Sequence, residues 1–272
     1  MQPILRPLSL GEVLDRTFQF YRQKFLLFVG IAIIPQTAVL FVGFLAAFLD
    51  TDTLSRYTAL FWTGFVLALI FNLVALAISQ AATSAAVSDI YLGRETSIRQ
   101  AYGRIRGNMR RMIGIMLGLW LYTALYSMLL VIPGIYVTLA WALAIPAAVI
   151  EGLSFSECRD RSSYLTDGVK GRIFIIFVMV WILSTGVSYG IEKFFHTLTG
   201  LTVGAAHSLS LTATKELISF IASVLVEPIA MIAFTITYYD QRVRREGFDI
   251  EFMMKGNEET QAAVAGNAAP QM

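Results

Sequence analysis

A chain of 272 residues with 56% hydrophobic residues, 15% charged residues and a mean hydropathy of +0.65 is too apolar for a soluble domain, whose charged share is about a quarter. The small net charge of +2 gives no footprint for DNA or RNA, so no nucleic-acid partner is expected. The lone cysteine, Cys158, excludes an intrachain disulfide framework, and no Cys/His cluster has metal-ligand spacing. What remains is an all-α polytopic membrane protein, with the lipid bilayer as its first partner.

The chain opens on SLGEVLDRTFQFYRQKF from Ser9. Ser9 and Glu12 form the S-x-x-E capping box, in which each side chain satisfies a backbone donor that the helix start leaves unpaired. Leu10, Val13, Leu14, Phe18, Tyr21 and Phe25 then recur at helical spacing, with Arg16, Arg22 and Lys24 largely off that face, so a helix over 9–24 suits the membrane surface. No small-residue cleavage pattern follows it, and the first apolar segment is expected to stay. That segment runs from about Phe25 to Leu49, with Pro35 and Gln36 in its middle. After a polar turn over 50–56, a second begins near Tyr57 and meets no charge until Asp89, longer than a bilayer core needs. Its patch of Ala81, Ala82, Ser84, Ala85, Ala86 and Ser88 invites close helix approach.

A second basic unit, SIRQAYGRIRGNMRRM from Ser97, predicts a surface helix near 97–110. A third span follows over about Met112–Ile132, then a charge-free turn at Pro133-Gly134, then a short fourth span, Ile135–Ile150, with Pro146 as its expected kink. The third unit, from Ser154, predicts a surface helix near 154–167 ended by Gly168 and Gly171. Spans five and six cover about Ile173–Ile191 and Leu217–Tyr239, separated by a Thr- and Gly-rich stretch. Residues 1–255 thus read as a single membrane domain, and 256–272, rich in Ala, Asn, Gly and Gln, as a disordered tail.

Aligned on Ser9, Ser97 and Ser154, the three units each place Glu or Gln three residues on and arginine seven on, at Arg16, Arg104 and Arg161. The expected architecture is therefore six transmembrane helices, built as three repeats of an amphipathic surface helix plus a transmembrane hairpin. Of the 21 Lys and Arg, all but Arg56, Lys193 and Lys215 fall in segments that six crossings put on one side. By the positive-inside rule that side is cytoplasmic and holds both termini, as in a bacterial inner membrane.

LRPLSLGEVLDRTFQFYRQKF, IPGIYV, EGLSFSECRDRSSYLTDG and YYDQRVRREGFDIE, in that order, resemble the bacterial membrane family named for the glycerophosphoryl diester phosphodiesterase membrane domain. The resemblance covers nearly the whole chain and implies a helical membrane domain. It carries over no catalytic residue, and it implies a stand-alone member without a phosphodiesterase domain. Glu227-Pro228 and the stretch over 192–214 depart from the family pattern.

Chemistry has few places to sit. Only two histidines occur, His196 and His207, which read as loop residues, and no nucleophile has a histidine near it in sequence. No enzyme and no cofactor are expected. Glu227 is the main functional candidate, since a carboxylate inside a span is expensive and calls for a partner or a role. Gln36 and Asn72 fall at similar depth, and Pro35 and Pro228 free backbone carbonyls beside Gln36 and Glu227, so Gln36, Asn72 and Glu227 form a candidate intramembrane polar site. At the cytoplasmic border Asp89, Glu151 and Asp240 close spans two, four and six, where Arg16, Arg104 and Arg161 are the candidate ion-pair partners. Anionic lipid headgroups are candidate partners of the basic helices, and so is another protein. The leading expectation is a membrane scaffold or regulatory module. The alternative is a small transporter or lipid-handling protein acting at Glu227.

Overall fold

The computed structural model describes residues 6–47, 58–199 and 209–254. The predicted turn over 50–56, the tail over 256–272 and His207 lie outside these residues. Among the described residues the fold is all-helical, and six segments are long and apolar enough to cross a membrane.

The first helix, α1 (Leu10–Gln23), starts at the predicted box. Ser9 Oγ accepts the Glu12 N–H at 3.2 Å, and the Glu12 carboxylate accepts the Ser9 N–H at 2.7 Å. The Ser9 backbone N–H first, then the Ser9 side chain and Arg6, hold the exposed Glu12 carboxyl down at about 2. One residue, Lys24, separates α1 from α2 (Phe25–Ala47), which passes through Pro35 without ending. The second span is α3 (Thr58–Tyr91), and its Ala81, Ala82, Ser84, Ala85, Ala86 and Ser88 are all buried, as the small-residue patch led us to expect. Gly93, at φ +77°, turns the chain toward α4 (Ile98–Arg106). There Ser97 caps Gln100 N at a long 3.4 Å, and the Gln100 side chain takes the Ser97 hydroxyl proton rather than completing the box.

Two expectations for the third and fourth spans move. After α5 (Met109–Leu129) the reversal occurs at Leu130, in extended backbone, and not at Pro133-Gly134. Pro133 instead lies in the first turn of α6 (Val131–Ala140), where a missing N–H costs no intrahelical bond. Gly134 is needed for contact: a Cβ there would lie 2.8 Å from Ser127 Cα on α5. The fourth span then breaks at 141–143, upstream of Pro146, which falls in the first turn of α7 (Ala144–Glu151). The freed backbone groups find side chains on α8 (Phe155–Thr166). Leu143 N–H donates to Ser162 Oγ at 3.1 Å, and Ala140 O accepts from Ser162 Oγ at 2.8 Å and Thr166 Oγ1 at 3.1 Å.

Gly168, at φ +70°, ends the α8 segment, and α9 (Lys170–Thr199) and α10 (Leu209–Glu246) complete the described spans. Both are longer than the apolar stretches read from sequence. The last helix is the hub: it packs on α2, α3, α9 and α1, and reaches α7 and α8. Buried apolar positions concentrate in the half of the molecule that carries the basic segments, from Leu8 and Val13 to Tyr238 and Tyr239. Toward the opposite end, large apolar side chains such as Trp62, Leu67, Met128, Ile132 and Trp181 are exposed, as residues facing lipid tails would be.

Candidate functional site

The two in-span prolines create the site. A proline cannot donate to the carbonyl four residues back, and Pro35 therefore releases Ile31 O on α2. Tyr102 of α4 takes it, its hydroxyl donating at 2.7 Å. In the turn before Pro228 of α10, Leu225 O accepts the Tyr21 hydroxyl of α1 at 2.8 Å. Each proline-bearing span thus receives a hydroxyl from a tyrosine on a short basic helix. Tyr102→Phe removes the hydroxyl that donates to Ile31 O, and should cost about 1–3 kcal/mol. Because Cys158 is the one cysteine, is fully buried, and has its thiol pushed up to about 11 by burial, its alkylation rate reports global opening and checks this value.

Next to these prolines, Gln36 Nε2 donates to Glu227 Oε2 at 2.9 Å, joining the first and last spans. Gln36 is buried. Tyr102 lies close enough to feel the Glu227 charge: burial first, with that carboxylate adding, pushes its hydroxyl well above the usual range. Glu227 Oε1 and Ser79 Oγ of α3 are both enclosed without a partner of good geometry. The two groups are near enough to interact, yet outside a proper hydrogen bond.

Asn72 does not join them. It lies two turns before Ser79 on the same face of α3, about 10 Å along the axis, and is exposed where the helix has left the bundle. The site is therefore Gln36, Glu227 and Ser79, with Asn72 outside. On its far side from α2, Glu227 borders a cavity of about 260 Å³ between α3, α5, α6, α9 and α10. Gln80, Thr123 and Thr138 supply its other polar groups, and Trp120 and Trp141 its largest aromatic surfaces.

At the basic end the candidate ion pairs are mostly as predicted. Arg104 Nη1 lies 2.6 Å from Asp89 Oδ1, and Arg161 gives Glu151 Oε1 two bonds, from Nε at 2.9 Å and Nη2 at 2.8 Å. Arg161 also engages Glu246 of α10, and these carboxylates raise its already high basicity against the cost of burial. Asp240 differs from the expectation. It is fully buried, and its partners are Arg172 at 2.9 Å, Arg244 at 3.1 Å and the Leu8 N–H at 2.6 Å, while Arg16 lies near Tyr91 instead. The reason is the path of the chain before α1: Leu8, not α1 itself, drops onto Asp240, and Arg172 and Arg244 also bind Leu8 O at 2.9 Å and 2.6 Å. Tyr238 bonds Glu151, and Tyr239 shares a 2.7 Å hydrogen bond with Ser88. The end of α10 thus ties together α1, α3, α7, α8 and α9.

Among the described residues no group of His, Cys, Asp and Glu is placed to hold a metal ion. The His196 side chain lies outside the description. No family model, no curated protein sequence and no solved structure matches this chain.

Proposed function

We propose that this protein is a non-enzymatic membrane protein that holds a small amphipathic molecule beside Glu227, acting as a small transporter or lipid-handling protein. One observation carries the reading: a span-embedded carboxylate, tethered on one side by Gln36, borders on its other side a cavity of about 260 Å³ with an apolar wall and a few hydroxyl and amide groups. That composition is what small-ligand sites use, an apolar surround with sparse polar groups fixing orientation. Native mass spectrometry of the full chain released from detergent tests it. A bound non-protein mass present on the wild type and lost in Glu227→Ala is expected. An identical spectrum for the two proteins would overturn it.

A second reading, a scaffold or regulatory module, is favoured by the basic end, where internal arginines occupy Asp89, Glu151 and Asp240 and make that end a rigid platform. A protein partner retained at fixed stoichiometry by both wild type and Glu227→Ala would select it. In either case the concentration of Lys and Arg supports a bacterial cytoplasmic membrane location with that end, and both termini, on the cytoplasmic side, near anionic headgroups. Three surface-helix-plus-hairpin repeats, and membership of the phosphodiesterase-membrane-domain family, belong to the same proposal. They draw on the shared offset of Arg104 and Arg161 from Ser97 and Ser154, both of which reach the carboxylate closing the preceding span.

A further inference from the structure

The cavity's lining shows an imbalance of charge. Among the described residues, Glu227 is the one ionisable side chain on its wall, and no Lys, Arg or His of those residues lines it. The cation recorded against a lining residue, Arg159 over Trp141 at 5.7 Å, is itself 3.6 Å from Asp160. Gln36, the hydrogen-bond donor to Glu227, and Ser79 beside it are both neutral, and Glu227 Oε1 has no hydrogen bond of good geometry. A carboxylate in such surroundings is favoured only when a positive charge or a proton joins it. An anionic ligand would add a second negative charge to a low-dielectric site. Trp120, partly exposed on the outer side of α5, opens the rim toward what a bilayer would fill with lipid, and an indole face attracts cations. A volume of about 260 Å³ accommodates a small organic molecule.

Resting on the cavity reading above, we infer that the ligand is a small lipophilic monocation, an amine or quaternary ammonium with an apolar body, its charge beside Glu227 and its body against Trp120. The test uses the full chain in a non-ionic detergent, with tryptophan emission as the readout and three probes of similar size: benzyltrimethylammonium, its uncharged carbon isostere neopentylbenzene, and benzylphosphonate. In the wild type, saturable binding of the cation about tenfold or more tighter than the isostere is expected, a gap of 1.4 kcal/mol or more, with the phosphonate weakest. Glu227→Gln should remove that preference, bringing the affinity for the cation down to that for the isostere. Equal wild-type affinities for cation and isostere would overturn the charge assignment and leave the cavity reading standing. The wild-type comparison decides this even if the variant misfolds. Failure of all three probes to bind would overturn both.

Discussion

Asp240→Asn should lower the stability of the fold by about 3–5 kcal/mol, the usual cost of stripping one partner from a buried, hydrogen-bonded charge cluster. Asp240 has no exposed surface, while Arg172 and Arg244 are 14% and 39% exposed, so water can compensate Arg244 more readily than Arg172. Asparagine keeps an oxygen for the Leu8 N–H but removes the charge that balances two guanidinium groups. The loss lands on the junction where the start of α1, the start of α9 and the end of α10 meet, so Cys158 alkylation should quicken and α1 should detach early. Asp160→Asn is the matched control: that carboxylate is 73% exposed, its pair with Arg159 is 3.6 Å long, and the change should stay within about 0.5 kcal/mol. Equal effects of the two substitutions would remove Asp240 from its place as the anchor of the basic end.

Gly134→Ala should cost about 1–3 kcal/mol although it adds one methyl group and raises helix propensity. The new Cβ would stand 2.8 Å from the Ser127 Cα, and backbone cannot rotate away as a side chain can, so α5 and α6 must separate. Ser127→Gly in the same chain removes the serine Cβ and hydroxyl from the clash but leaves its Cα, so it should restore part of the loss. Alkylation of Cys158 in the two single variants and the double variant measures that coupling. A neutral Gly134→Ala would mean that the α5–α6 hairpin is looser than described.

Why some of this could be read from sequence and some not follows from what each signal encodes. Membrane spans are set by length and apolarity alone, and all six appear, with their ends shifted because α9 and α10 continue helically past the apolar stretch. Arg104–Asp89 and Arg161–Glu151 were legible because the partners are 15 and 10 residues apart along one turn-and-helix path. Asp240 pairs across 232 residues with Leu8, and no local spacing carries that information. Gln36 and Glu227 could be matched because two polar groups at similar depth in apolar spans have few alternatives. Asn72 was misjudged by depth rather than by face, since a helix as long as α3 has no sequence mark for where it leaves the bundle. Tyr21 stands at an apolar position of the first helix's stripe, where nothing in the spacing marks its hydroxyl as a donor. Tyr102 answers the Ile31 carbonyl that Pro35 frees, whereas Tyr21 binds Leu225 O, one residue past the Val224 carbonyl that Pro228 leaves without its helical donor, so only the first could have been found from a proline.

Gln36 of α2 and Glu227 of α10 form one polar pair, with Glu227 at the wall of the cavity, and Asn72 stands apart from it. A pair of double-mutant cycles read by Cys158 alkylation tests it most directly. Gln36→Leu with Glu227→Leu should show a coupling of about 1 kcal/mol or more, and Asn72→Leu with Glu227→Leu should add within about 0.5 kcal/mol. Additivity in the first cycle, or coupling of that size in the second, would contradict the account.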